Sequence, residues 1–115
     1  MAKNSFDSLW KEYPFFKDLP FFECGIGWFD LIKELCEKLN AMKPGKSLKV
    51  VQVKEKFGGL RFYVEGVSEE KSEKVYKLIA EAEEKSFTTC EYCGKPGKQS
   101  GKNWVKTLCD NCRKK

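Results

Sequence analysis

Four cysteines near the end of the sequence form two C-x-x-C pairs, Cys90 with Cys93 and Cys109 with Cys112, and 15 residues separate the pairs. Thiolates from two such pairs can meet around one metal ion at about 2.3 Å, as in structural four-cysteine zinc sites. Gly94 follows the first pair directly. A residue that tolerates positive φ there lets backbone amides turn toward the sulfur atoms. The spacing therefore predicts a zinc ribbon with these four cysteines as the Zn²⁺ ligands.

Two other uses of the four cysteines remain open at this point. They can form two disulfides, or they can hold an iron–sulfur centre. The N-terminal sequence has no apolar segment of the kind found in signal peptides, so we expect a cytoplasmic protein in a reducing compartment, where disulfides are rare. The pattern indicates a metal but not a function, because zinc ribbons bind nucleic acid, bind proteins or only stabilise a fold.

The composition limits the possible chemistry. A chain of 115 residues with 41% hydrophobic residues can form one compact core, and no apolar run approaches the roughly 18 residues that cross a membrane. The sequence contains no histidine, which excludes Ser-His-Asp and Cys-His nucleophilic sites and every histidine metal ligand. We therefore expect a protein that is not an enzyme and does not bind membranes.

The net charge of +5 comes entirely from the cysteine segment. Residues 90–115 contain seven basic and two acidic residues, whereas the rest of the chain is balanced. A zinc ion with four thiolates carries a charge of about −2, which nearby lysines can offset. The same lysines can instead contact phosphates. The charge count alone leaves both interpretations open.

Hydrophobic periodicity predicts an α+β fold, with a β-hairpin packed on two main helices. A short N-terminal helix and a loop rich in phenylalanine come first, and we expect most of those rings in the core, with an exposed partner-binding patch as the alternative. The predicted segments are a helix over 27–42, a hairpin over 48–66, a helix over 68–87, and two domains, an α+β body over 1–88 and a zinc ribbon over 89–115.

The predicted hairpin turns at Gly58-Gly59, since primed turns need positive φ. This register places one face in the core, namely Val51, Val53, Phe57, Leu60, Phe62 and Val64. Glu55 falls on the same face, and a buried carboxylate must be paired. We expect Arg61 or a lysine near the hairpin end as its partner. The alternatives are a bulge that turns Glu55 outward, or a role in a site, for example as a catalytic acid.

Two sets of residues are candidates for binding a macromolecule. Cations beside aromatic rings suit phosphate contact and base stacking, although a solvated strand face has the same sequence pattern. In the ribbon, a tryptophan more commonly covers the zinc ligands. The candidates are Lys54, Lys56, Arg61 and Tyr63 on the outer hairpin face, and Lys102, Trp104 and Lys106 in the ribbon.

Glu23-Cys24-Gly25-Ile26-Gly27 stands just before the long helix. A cysteine at a helix N-terminus can be reactive, and glycine amides there can bind an anion. The simpler interpretation is a tight helix entry in which the glycines relieve crowding. We favour that interpretation, because a lone cysteine without a base is a poor catalyst.

Three sequence runs, Glu23–Ile32, Val51–Tyr63 and Cys90–Gly94, resemble a family of small uncharacterised proteins of bacteria and their phages. The resemblance spans about residues 22–112. It implies a phage or prophage accessory gene, and a shared body to which the ribbon is attached. It supplies no established activity and no catalytic residues.

Together these observations predict a non-catalytic, zinc-binding recognition protein of the bacterial cytosol. A protein partner is the first expectation, for example a host defence or transcription component. The first alternative is a nucleic-acid-binding zinc-ribbon module. The second is a small enzyme that uses Glu55 and Cys24.

Overall fold

The computed structural model describes residues 6–43, 45–102 and 104–114, and it confirms the predicted α+β fold with a hairpin and a C-terminal four-cysteine cluster. The elements are α1 (Asp7–Glu12), α2 (Phe29–Ala41), β1 (Lys49–Lys56), β2 (Gly59–Glu65), α3 (Glu69–Ser86), β3 (Lys98–Ser100), β4 (Lys106–Leu108) and α4 (Asp110–Arg113). Short 3₁₀ turns cover Pro14–Phe16 and Ile26–Trp28. No helix among the described residues has the length and apolar character needed to cross a bilayer.

Helices α2 and α3 pack on each other, and α3 packs on β2. Apolar residues recur on one side of each helix at intervals of three and four, which places them on a single buried stripe. The buried stripe residues are Leu31, Ile32, Leu35, Cys36 and Leu39 of α2 and Val75, Ile79 and Ala82 of α3. Burial raises the pKa of the Cys36 thiol, so Cys36 is a small apolar core residue, as its position in the stripe predicts.

The aromatic loop after α1 belongs mainly to the core. Phe15 and Phe16 are buried, and Phe22 packs against Phe16 while stacking on Phe6 at 4.4 Å between ring centroids. Phe21 is the exposed ring of this loop, with 54% of its surface accessible. The loop therefore fills the core, and most of its rings are unavailable to a partner.

The hairpin turns at Phe57-Gly58, one residue earlier than predicted. Lys56 pairs with Gly59, Glu55 with Leu60 and Lys54 with Arg61, and both turn residues have positive φ, 56° at Phe57 and 86° at Gly58. Gly59 is a strand residue that pairs with Lys56, and it is a glycine because the ring of Phe87 occupies the space of a Cβ atom there, 2.3 Å from its position. Gly58 thus meets the requirement of the turn for a positive φ, and Gly59 meets a packing requirement.

The register correction changes which hairpin residues are buried. An irregularity between Val50 and Gln52 puts Val50 in the core beside Val53, while Val51 is only half-buried. Phe57 is 65% exposed. The prediction that Val51 and Phe57 belong to the core was wrong. It rested on the alternation of apolar and polar residues, which shows neither the irregularity beside Val51 nor the position of Phe57 in the turn.

The predicted basic face of the hairpin is confirmed as a geometric surface. Lys54 lies opposite Arg61, Gln52 lies opposite Tyr63, and Lys56 follows Lys54 by two residues, so these side chains share one side of the sheet. Lys54 and Arg61 are half-buried, and Lys56 and Tyr63 are exposed. We call these four candidates, without Gln52, the hairpin face.

Candidate metal centre and its interface with the body

The four sulfur atoms of Cys90, Cys93, Cys109 and Cys112 all lie within 4.8 Å of one another. The Sγ atoms of Cys93 and Cys109 are 3.6 Å apart. Tetrahedral coordination at 2.3 Å places sulfur atoms about 3.8 Å from each other, so the cluster has the dimensions of a metal centre. None of the six cysteines forms a disulfide. The donor set therefore fits a metal ion such as zinc.

Local backbone structure brings the two cysteine pairs together. Cys90 follows α3, and its carbonyl accepts a bond from the amide of Gly94, which has a φ of 84°. Cys109 caps α4, and its Sγ atom accepts a bond from the amide of Cys112 at 3.4 Å. The antiparallel pair β3–β4 closes the loop between them. This is the turn geometry that the spacing predicted.

The thiols differ in how readily they ionise. Burial opposes ionisation of Cys90, but backbone amides of the two knuckles outweigh it and lower the pKa to about 6. The backbone amide of Cys112 also lowers the pKa of Cys109, whereas the hydrogen bond that Cys112 shares with Cys109 raises its own pKa to about 12. Metal binding must therefore displace protons, and metal affinity rises with pH.

The first cysteine pair docks on the entry to α2. The amide of Gly27 donates to the carbonyl of Glu91 at 2.7 Å, and the amide of Gly25 donates to the Glu91 carboxylate at 2.8 Å. Trp28 Nε1 donates to the carbonyl of Thr89 at 2.9 Å. The Gly25 amide thus binds a carboxylate and the Gly27 amide a carbonyl group, both of Glu91, so the hypothesis of an external anion there is not supported.

The same contact explains Cys24. Burial, together with the negative charges of Glu91 and Glu55, raises the pKa of the Cys24 thiol to about 12. Its sulfur is therefore protonated and unreactive at neutral pH. A reactive cysteine at this position would need a lowered pKa, whereas the pKa of Cys24 is raised.

Replacing Gly27 with alanine tests this docking. The added Cβ atom would lie 2.4 Å from the carbonyl oxygen of Cys90 and 2.5 Å from that of Glu91, both of them backbone atoms. We expect a loss of about 1–3 kcal/mol in the free energy of unfolding, the usual range for overpacking. Urea denaturation measures this free energy. The control is Ala80→Ser on the exposed side of α3. Gly45→Ala is unsuitable as a control, because Gly45 has a positive φ. An unchanged midpoint for Gly27→Ala would contradict the close contact.

A buried charge cluster joins the ribbon to the hairpin. Lys106 Nζ lies 3.2 Å from Glu91 Oε1 and 3.4 Å from Glu55 Oε1, and the side-chain exposures are 19%, 4% and 17% in that order. The second Glu55 oxygen accepts a bond from the amide of Gly58 at 2.8 Å. Although burial lowers the pKa of Lys106, the hydrogen bond and charges of the two carboxylates outweigh it and raise the pKa. We call Glu55, Glu91 and Lys106 the charge cluster.

The charge cluster settles two sequence predictions. Glu55 is paired with a cation, as expected, but the partner is Lys106 of the ribbon and not Arg61 or a lysine near the hairpin end. Arg61 lies on the opposite side of the sheet and is not its partner. Lys106 is held between two carboxylates, so it is not free to bind a nucleic acid or protein as the sequence suggested. Glu91 was missed, since a residue inside a C-x-x-C turn gives no sign of a buried role.

The hairpin tip packs on the ribbon through its backbone. Thr107 Oγ1 donates to the carbonyl of Gly58 at 2.6 Å, and Gln99 Nε2 donates to the carbonyl of Phe57 at 2.7 Å. These bonds use the carbonyl groups of the turn and leave the Phe57 ring in solvent. The ribbon therefore fixes the position of the hairpin tip.

Trp104 does not cover the cysteines. Its side chain is 76% exposed, and the charged nitrogen of Lys106 lies 5.9 Å from the ring centroid. The expectation of a tryptophan that shields the zinc ligands was wrong. Lys102 is also exposed. The structure thus places two large rings, Phe57 and Trp104, in solvent at the junction of hairpin and ribbon.

Comparison with known proteins gives no relative on which to rest a function: no family model, no curated protein and no solved structure matches the chain. The functional argument therefore rests on the site itself.

Proposed function

We propose that the protein is a non-catalytic recognition protein, stabilised by Zn²⁺, that binds nucleic acid with the hairpin face and the adjoining edge of the ribbon. One observation carries this proposal. Lys54, Lys56, Arg61 and Lys102 form no ion pair within the described part of the chain, and they lie on the elements that carry exposed Phe57 and Trp104. Unpaired cations beside exposed aromatic rings suit phosphate and base contact.

Zinc is the metal that the donor set favours. Four thiolates on two tight turns, with no position left for water or substrate, are typical of structural zinc rather than of a catalytic metal. Such a metal supplies folding free energy and fixes the ribbon against the hairpin. Its role here is to fix the ribbon, which carries Lys102 and Trp104, against the hairpin tip.

The enzyme alternative receives no support from the arrangement of its two residues. Glu55 accepts a bond from the Gly58 amide and is paired with Lys106, so both carboxylate oxygens are occupied. Burial raises the pKa of the Cys24 thiol, and the sequence offers no histidine to act as its base. A recognition role is therefore preferred to a catalytic one.

A protein partner, which the sequence analysis favoured, is now the second candidate. The sequence predicted that a protein partner would contact the aromatic loop and the exposed hairpin face, and the aromatic loop is largely core. One observation still favours a protein partner, namely that Ile26 and Tyr92, from the two segments joined at Glu91, are 38% and 52% exposed. The implied phage or prophage origin and a cytoplasmic location are compatible with both partners.

Charge removal on the hairpin face tests the proposal. The double variant Lys54→Ala/Lys56→Ala should weaken binding of single- or double-stranded oligonucleotides and should reduce the slope of log K against log salt by about 0.7–0.9 per lysine removed. The matched control is Lys74→Ala/Lys77→Ala on α3, which removes the same charge from another exposed surface. Fluorescence anisotropy between about 50 and 200 mM salt measures both. Equal losses in the two variants would indicate a non-specific charge effect and contradict the proposed surface.

A further inference from the structure

Phe57 occupies a backbone conformation that suits it poorly. Its φ of 56° lies in the left-handed region, where turns of this kind prefer asparagine, aspartate or glycine. A bulky side chain there is an outlier, and outliers of this type cluster at functional sites. The positive φ angles of this turn give no structural reason for a phenylalanine at position 57. The residue type therefore requires another explanation.

Burial does not supply that explanation. The Phe57 side chain is 65% exposed, and its ring has the charged nitrogen of Lys56 at 5.7 Å from the centroid. The backbone contacts of the turn, to Gln99 and Thr107, use carbonyl groups that any residue would offer. Phe57 is thus unfavourable both for its backbone and for its solvation, and neither disadvantage is offset within the described structure.

Trp104 repeats this combination on the ribbon. It is the most exposed large apolar side chain in the described residues, at 76%, and it too has a lysine nitrogen near its ring. It belongs to the connection between β3 and β4, the two strands that hold the Phe57-Gly58 turn. Two exposed rings therefore stand at one junction. The lysine beside Trp104 is Lys106, which Glu55 and Glu91 already pair, so the unpaired cations of this junction are Lys56 and Lys102.

We propose that Phe57 and Trp104 are stacking platforms for the bases of a single-stranded nucleic acid, whose phosphates contact Lys56, Lys102 and the hairpin face. This inference rests on the proposed nucleic-acid function and specifies its ligand. Flat rings flanked by cations bind unpaired bases through stacking and the backbone through charge. A duplex keeps its bases stacked on each other, so it presents phosphates to the lysines but no base face to the rings.

The charges decide between a nucleic acid and an acidic protein as the occupant. Lys54, Lys56, Arg61 and Lys102 form no ion pair in the described residues. The Glu23 carboxylate, bonded to Gln52 at 3.5 Å, lies on the same side of the sheet, but the cations of the hairpin face outnumber it, so the face attracts a polyanion. Both rings are flat and exposed, and an unpaired lysine nitrogen, that of Lys56, lies 5.7 Å from the centroid of the Phe57 ring. Protein anchors are usually received in packed pockets, whereas stacking needs only an open ring face. The observations therefore favour the single strand.

The test uses the full-length, zinc-loaded protein and oligothymidylate of about 12 nucleotides, within the range of site sizes for single-strand binding modules. Trp28 is fully buried, Trp10 is half-buried and Trp104 is exposed, so the part of the fluorescence quenching that is lost in Trp104→Ala reports on Trp104. We expect that quenching, and we expect Phe57→Gly and Trp104→Ala each to weaken binding roughly 5- to 150-fold. Phe57→Gly should not lower the Tm, since glycine accepts the turn conformation.

The control variant is Phe21→Ala, which removes another exposed phenylalanine from outside the proposed surface and should bind as the wild type does. If Phe57→Gly and Trp104→Ala bind as tightly as Phe21→Ala, or if a duplex of the same length binds equally well, the stacking role is overturned while nucleic-acid binding stands. If the wild-type protein binds no nucleic acid at low salt, the proposed function fails as well. Salt-tolerant binding of one purified host protein that depends on Phe57 would reassign the surface to a protein and overturn the inference.

Discussion

Replacing Lys106 with methionine should lower the free energy of unfolding by about 3–5 kcal/mol, the range for removing one partner from a buried ion pair. Methionine matches the length of the lysine stem but leaves two carboxylates, Glu55 and Glu91, facing each other with little solvent. Their mutual repulsion and lost solvation act in the folded state only. Denaturant unfolding measured by circular dichroism gives the difference.

Two further variants make the Lys106 result specific. Lys102→Met removes an exposed lysine from the same ribbon and should change stability by less than about 0.5 kcal/mol. Adding Glu55→Gln and Glu91→Gln to Lys106→Met should recover part of the loss, because no unpaired buried charge then remains. A loss below about 1 kcal/mol for Lys106→Met, the upper range for exposed ion pairs, would show that the charge cluster is solvated and does not join the ribbon to the hairpin.

Removing the metal should unfold the ribbon and loosen the body beside it. Structural zinc contributes apparent binding free energies of about 10–16 kcal/mol in zinc-finger peptides, which exceeds the stability of most small domains. The partners of Trp28, Gly58 and Phe57 lie in the ribbon, so their contacts are lost with it. The indole N–H resonance of Trp28 should shift on chelation, and metal analysis should give one zinc ion per chain beforehand.

Cys93→Ser and Cys24→Ser form a matched pair for this experiment. Cys93 belongs to the four-cysteine cluster and Cys24 does not, although both are cysteines near the same interface. We expect Cys93→Ser to lose the metal and shift the Trp28 resonance, and Cys24→Ser to do neither. A metal-free, reduced protein with the spectrum of the untreated one would contradict the assignment of the cluster as a structural metal centre.

The fold and the metal ligands could be predicted from sequence because each depends on local spacing. The C-x-x-C pairs, the apolar stripes of α2 and α3 and the glycine-containing turn all repeat over a few residues. The prediction stopped being accurate where a distant residue decides the outcome. Position 59 requires a glycine because of the Phe87 ring and not because of the turn, and a glycine pair by itself does not say which glycine the turn uses.

The charge cluster and the exposed rings show the same limit more sharply. Glu55 was correctly expected to need a cation, yet the choice of Lys106 over Arg61 depends on how the ribbon docks. Phe57 was assigned to the core because it is apolar, and only its φ and its exposure show otherwise. A phenylalanine directly before a glycine turn is the one local sign that could have indicated it.

The most direct test of the proposed function is the binding of the zinc-loaded wild-type protein to oligothymidylate across a salt series. With Lys54, Lys56, Arg61 and Lys102 as phosphate contacts, the slope of log K against log salt should be about −3, with micromolar or tighter binding at low salt. Absence of binding at about 50 mM salt, or binding with no salt dependence, would contradict a nucleic-acid ligand at this surface.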